Sequence, residues 1–170
     1  MPFVAFVALL LAGALFVARR AEASTAPTAD VYPFPDINMT RGERNNNPGN
    51  IRLTDTHWLG ERADESDPDF EQFNSPDDGL RALALLLKNY QVRGGLTTVR
   101  QIVNRYAPPS ENATGAYVAA VSTELGVAPD DPVYLSDGAT LTTLVRAIIR
   151  QENGRVIYAD SQIANAVARV

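Results

Sequence analysis

Between positions 141 and 149 the residues Leu141, Leu144, Val145, Ile148 and Ile149 recur at i, i+3, i+4, i+7 and i+8. That spacing puts them on one stripe of an α-helix. An apolar stripe leaves water only if other apolar surfaces cover it, and the chain supplies several. SPDDGLRALALLLKNYQ (75–91) reads as a helix capped by Ser75 or Asp77 and ended by Gly94-Gly95. LTTVRQIVNRYA (96–107) reads as a second, capped by Thr97 and stopped by Pro108 and Pro109. TGAYVAAVSTELG is a third, ending at Gly126. The striped segment, 140–154, is the fourth, with Thr140 as cap and Gly154 just past its end, and SQIANAVARV is a fifth, capped by Ser161. The strand-like pieces are NIRLT and FEQF, separated by the acidic, turn-rich LGERADESDPD. No internal repeat is visible. The expected class is mainly α (α+β), a helical domain with a small β-hairpin or irregular lobe.

The amino end has a different character. Residues 1–18 contain no charged side chain, and Arg19 and Arg20 follow. As a helix they would rise about 27 Å, close to a hydrocarbon core of roughly 30 Å. Residues 1–20 therefore read as a transmembrane anchor that brings a lipid membrane in as partner. The alternative is a signal peptide cleaved at AEAS (21–24). The basic pair after the apolar run, with no Lys or Arg before it, favours the anchor. Residues 21–38 hold three prolines and many small residues, a tether rather than a domain. The folded part is then 39–170.

Composition narrows the chemistry. The 170 residues carry a net charge of −5 without a basic run, so no nucleic-acid surface is expected. Cysteine is absent and there is one histidine, His57. Thiol catalysis and a multi-His zinc site are excluded, no metal or other cofactor is expected, and any His-based triad would have to use His57. Acid–base work falls mainly to Asp, Glu, Tyr or Lys.

Extending the stripe by one member, to i+11, reaches Glu152. Burial disfavours its charged form, and so does the negative end of the helix dipole. Both push the carboxyl toward staying protonated near neutral pH, as a glycosidase general acid requires. The plain structural alternative is a frayed last turn with Glu152 in solvent beside Arg150 or Arg155.

The segment IIRQENG (148–154) resembles the helix end that carries the catalytic Glu of lysozyme-superfamily enzymes. Further pieces are similar to the bacterial glucosaminidase branch: NNNPGNI at 45–51, Trp58 with Gly60, FEQFNS at 70–75, NRYA at 104–107 and AYVAAV at 116–121. In that family the Glu helix comes first, whereas here it comes near the end, so the domain resembles a circularly permuted relative. Permutation is physically reasonable because domain termini often lie close together. The stretch from TRGERNNNPGNIR through RYAPPSENATGAYV to RAIIRQENG also resembles a family of phage and prophage proteins described as virion structural proteins or as peptidoglycan hydrolases.

The resemblance implies a membrane-anchored peptidoglycan glycosidase, muramidase, glucosaminidase or lytic transglycosylase, carried by a phage virion or a bacterial inner membrane. Its soluble domain would face the cell wall, with glycan strands and other virion proteins as partners. Glu152 would be the general acid and base. Candidates for a second carboxylate are Glu61, Asp64 and Glu65 in the lobe, together with Glu43. A lytic transglycosylase would need none, because the substrate's own N-acetyl group or 6-hydroxyl takes that part. In RNNNPGNIR, Pro48-Gly49 fits the centre of a type II turn. Asn47 or Asn50 is expected at substrate, since an amide offers both a donor and an acceptor. Tyr106 matches the cleft-lining Tyr of the family's Tyr-Ala motif. Trp58 and Phe73 are candidates for a sugar-stacking platform, though core packing is the commoner fate of both residue types. Two other readings stay open: a non-catalytic virion protein that binds glycan on the same fold, and a host autolysin with a cleaved signal.

Overall fold

The structure, a computed structural model, describes residues 38–170 except 65, 111 and 112. The expected anchor at 1–20, and the tether at 21–38 apart from its last residue, lie outside the described residues. Among the described residues no helix is long and apolar enough to cross a membrane.

The fold is mainly helical. Among the described residues six helices run α1 (Arg41–Arg44), α2 (Pro76–Val92), α3 (Val99–Tyr106), α4 (Thr114–Leu125), α5 (Gly138–Asn153) and α6 (Asp160–Val167). α5 is the hub, packing against α1, α2, α4 and α6. Its stripe lies inward, with Leu141, Leu144, Val145, Ile148 and Ile149 at 0–1% exposure. Leu80, Leu83 and Leu87 from α2, Ile102 and Val103 from α3, Val118 and Val121 from α4, and Ile163 and Ala166 from α6 complete the core. Each large aliphatic side chain buried in this way contributes about 1.5–3 kcal/mol.

The start of α2 is as read, and those of α3, α5 and α6 differ from expectation. Ser75 caps α2 by accepting from Asp78 N, and Pro76 takes the first helical position. α3 is capped by Thr98 rather than Thr97, because Thr98 completes a reciprocal capping box with Gln101. α5 starts two residues before Thr140. Asp137 caps it, accepting from Ala139 N and Thr140 N, and Thr140 OH also donates to Asp137. α6 starts after Ala159 with no side-chain cap, so Ser161 lies inside it. α4 and α5 end as read, at Gly126 and Gly154 in the left-handed region.

The β element is smaller than a hairpin. Residues 69–74 pair antiparallel with 51–53 through Leu53 N to Asp69 O and Glu71 N to Ile51 O, and with 60–62 through Arg62 N to Gln72 O and Asn74 N to Gly60 O. The ladder registers only as the isolated bridges Arg52–Phe70 and Glu61–Phe73. Side chains do the rest. Phe73 is fully buried in the helical core. Arg41 reaches Asp67 through Nε at 2.7 Å and Asp69 through Nη2 at 2.9 Å. The Arg41 guanidinium beside Asp67 holds that carboxyl well below the usual carboxylate range.

Candidate functional site

Gly154 ends α5 one residue after Asn153, and the last helical turn presents two adjacent side chains for different purposes. Asn153 is the anchor. Its amide donates to Pro48 O at 2.7 Å and to Ile149 O at 3.1 Å, and its oxygen accepts from Thr40 OH at 2.6 Å. The loop 45–50 is thereby fixed to the helix end. Glu152 accepts from Asn50 Nδ2 at 3.1 Å and from Tyr117 OH at 3.0 Å, one donor on each oxygen. Burial pushes its carboxyl above the ordinary glutamate value. The hydrogen bonds from Asn50 and Tyr117 and the charge of Arg52 oppose that rise without cancelling it.

The asparagine loop divides its labour residue by residue. Asn45 Nδ2 donates to Asp67, and Asn45 Oδ1 accepts from Gln72. Asn46 Nδ2 donates to Phe73 O. Asn47, expected at substrate, is instead fully buried. Its amide donates to Ile51 O and Glu71 O and accepts from Ile51 N, all at 2.9 Å, which leaves it no donor for a ligand. Asn50 alone of the four lines the cleft.

The turn itself is closed by Asn50 N to Asn47 O at 2.9 Å. It is not the type II turn read from Pro48-Gly49, because Gly49 does not have a positive φ. The left-handed positions are Asn46 (φ 50°) and Asn50 (φ 49°), where asparagine is among the residues best tolerated. Glycine at 49 answers to crowding, since a Cβ there would meet Tyr106 Oη at 2.7 Å and Leu83 Cδ1 at 2.8 Å. Gly79 is tighter still, its Cβ falling 1.9 Å from Asn46 O, so α2 can approach the loop only with glycine at that position.

The cleft beside this loop has a volume of about 620 Å³. One wall is the lobe, with Asn50, Arg52, Thr54, Thr56, Trp58 and Phe70. The other is helical, with Leu86 and Tyr90 from α2 and Arg105 and Tyr106 from α3, followed by Pro108, and with Glu152 from α5. Tyr106 OH donates to Gly49 O and so braces the loop backbone. Burial raises the phenols of Tyr106 and Tyr117 well above the ordinary tyrosine value, so both stay neutral donors. Of the two aromatics expected to stack on sugar, Trp58 lines the cleft but Phe73 does not. Phe70 takes that place, with Arg41 4.4 Å and Arg52 5.1 Å from its ring centroid.

None of the other carboxylate candidates with a described position lines the cleft. Glu43 is buried and accepts from Arg155 Nε at 2.8 Å and Nη2 at 2.6 Å, while also accepting from Thr40 N to cap α1. Glu61 accepts from Trp58 N at 2.8 Å and lies 3.8 Å from the exposed His57. Asp64 is exposed and paired with Arg62. Glu65 lies outside the described residues. Among the described residues Glu152 is the one carboxylate of the cleft wall. A second depression, about 580 Å³ between α5 and α6, is lined mostly by small side chains and by the exposed Asp160 facing Arg146.

The resemblance singled out AYVAAV, but sequence reasoning gave Tyr117 no role; only the packing of α4 on α5 aims its hydroxyl at Glu152.

No protein-family profile matches the chain. Among curated proteins it is similar to Protein P5 of Pseudoalteromonas phage PM2, 36% identical over 145 residues, covering 82% of this chain and 89% of that protein. The chain belongs to the family of this phage protein.

Proposed function

We propose that this member of the Protein P5 family is a lysozyme-like peptidoglycan glycosidase of a phage virion, held in a membrane through residues 1–20 and used to open the cell wall locally. The observation that carries the reading is Glu152, a desolvated carboxyl with a raised pKa on the wall of an open cleft, hydrogen-bonded by two neutral donors, its burial outweighing the charge of Arg52. A glycosidase asks two things of its acid: a proton still bound near neutral pH, and a fixed direction of delivery.

In the reaction the Glu152 proton passes to the bridging oxygen between two amino sugars as the C–O bond breaks. The carboxylate left behind is steadied by Asn50 and Tyr117 and then takes the proton of the attacking hydroxyl. Paired-carboxylate glycosidases place their two groups about 5–9.5 Å apart across the bond. Among the described residues the cleft wall offers no second carboxylate, which favours the single-Glu route in which the substrate's own N-acetyl group or 6-hydroxyl assists. Trp58 and Phe70 would support sugar rings on their faces.

The test is release of muropeptides from purified peptidoglycan by the full chain in mild detergent, read by mass, with Glu152→Gln as its partner. Fragments from the parent and none from the folded variant support the reading, and products one water lighter mark a transglycosylase. The lack of a second cleft carboxylate also suits a rival, a virion protein that binds glycan without cutting it. A parent that sediments with the wall but releases nothing would decide for that rival.

A further inference from the structure

The chain carries a net charge of −5, yet the charged residues lining the cleft are two arginines and Glu152. The arginines come from different parts of the fold, Arg52 from the lobe and Arg105 from α3. Each guanidinium lies over an aromatic ring that also lines the cleft, Arg52 at 5.1 Å from the Phe70 centroid and Arg105 at 5.6 Å from that of Tyr90. Stacking engages the face of a guanidinium and leaves its N–H fork in the plane, which is the arrangement that receives a carboxylate. Arg105 makes no ion pair or hydrogen bond among the described residues. Arg41, Arg62, Arg100 and Arg150 are each matched by an acidic side chain, whereas Arg105, like Arg81 and Arg93, has no acidic partner among the described residues, and of these three only Arg105 lines the cleft.

We propose that the cleft selects an anionic, carboxylate-bearing glycan over a neutral one, with Arg105 receiving a carboxylate of the substrate and Arg52 adding to the positive field. Resting on the glycosidase reading, this assigns specificity within the same site. The glycan would be one whose sugars carry acidic side groups, such as the lactyl-linked peptide stems of peptidoglycan, and an uncharged N-acetylglucosamine polymer would be a poor ligand.

The test uses two forms of one probe: soluble peptidoglycan fragments with their stem carboxylates free, and the same fragments with those carboxylates converted to amides. Calorimetry on the full chain in mild detergent, carrying Glu152→Gln so that nothing is cut, gives the ratio of the two affinities. We expect the acidic form to bind about tenfold tighter, the worth of one charge-assisted hydrogen bond at a half-open site. The ratio should fall toward one in Arg105→Gln, stay partly intact in Arg105→Lys, and shrink as salt is raised. A ratio near one in the parent, or a ratio unmoved by Arg105→Gln, overturns the inference and leaves the glycosidase reading standing. If neither form binds and the parent cuts no peptidoglycan, the inference falls together with the reading beneath it.

Discussion

Two glutamates leave water close to the same end of α5, and their surroundings treat them in opposite ways. Glu43 meets the guanidinium of Arg155, which with the backbone N–H of Thr40 holds its carboxyl below the ordinary range. Glu152 meets an amide and a phenol, and burial lifts its carboxyl above that range. The first charge is matched and serves as a fastener between α1 and the chain beyond α5. The second has neutral donors, and the charge of Arg52 does not cancel its burial, which costs stability and favours the protonated carboxyl. Burial by itself does not distinguish a structural carboxylate from a reactive one. On the proposed reading, the nature of the nearest donor does.

The largest expected effect separates the two by activity. Glu152→Gln should lower peptidoglycan cleavage by about 10²–10⁴-fold with circular dichroism unchanged, the usual worth of a positioned acid–base group. Glu43→Gln should leave the cleavage chemistry in place and instead reduce unfolding free energy by roughly 1–3 kcal/mol, read from urea denaturation. Arg155 is about half exposed, so the charge left behind returns to water and the loss falls toward the low end. The sign with pH follows from the depressed carboxyl: the Glu43 contribution is present above the ordinary glutamate range and is lost as pH falls through its lowered pKa. The gap between Glu43→Gln and the parent should therefore close in acid.

A subtler probe is Tyr117→Phe. Removing a donor that favours the ionised form should raise the Glu152 pKa further and carry the alkaline limb of the pH–rate profile to higher pH. A profile that does not move would disconnect Tyr117 from the acid. The smallest effect concerns stability. Because the folded-state pKa of Glu152 is raised, ionisation there opposes folding, and stability falls as pH climbs from the ordinary glutamate range through the raised value. Glu152→Gln should therefore melt slightly higher than the parent near neutral pH and at the same temperature in acid. A variant that melts lower at neutral pH would place Glu152 with Glu43 as a structural group.

The contrast was half legible in the sequence. Periodicity located α2 to α5, and carrying the stripe of α5 three residues onward reached Glu152, because a helical repeat fixes which side chains share a face. The same repeat says nothing about α1, whose four residues are too few to show a period. It cannot rank Asn47 against Asn50 either. Both are asparagines flanking the same Pro-Gly, and the direction each side chain takes depends on contacts from α5 and the lobe, distant in sequence. Gly49 was misread for a related reason: glycine is needed both for a positive φ and for close approach, and only the neighbour across the gap, here Tyr106, tells the two apart. Thr97 and Thr98 differ as caps only in which one has Gln101 three residues ahead.

One contact has a mechanical side. Arg155 also donates to Asn38 O at 3.1 Å, so the first described residue is fastened to the same side chain that holds Glu43. Tension on the chain ahead of residue 38 would load Arg155 and the Thr40–Asn153 hydrogen bond before it reached the apolar core. Asn153 sits next to Glu152 and positions the loop that carries Asn50. The entry of the chain into the domain and the wall of its cleft are therefore fastened by neighbouring side chains.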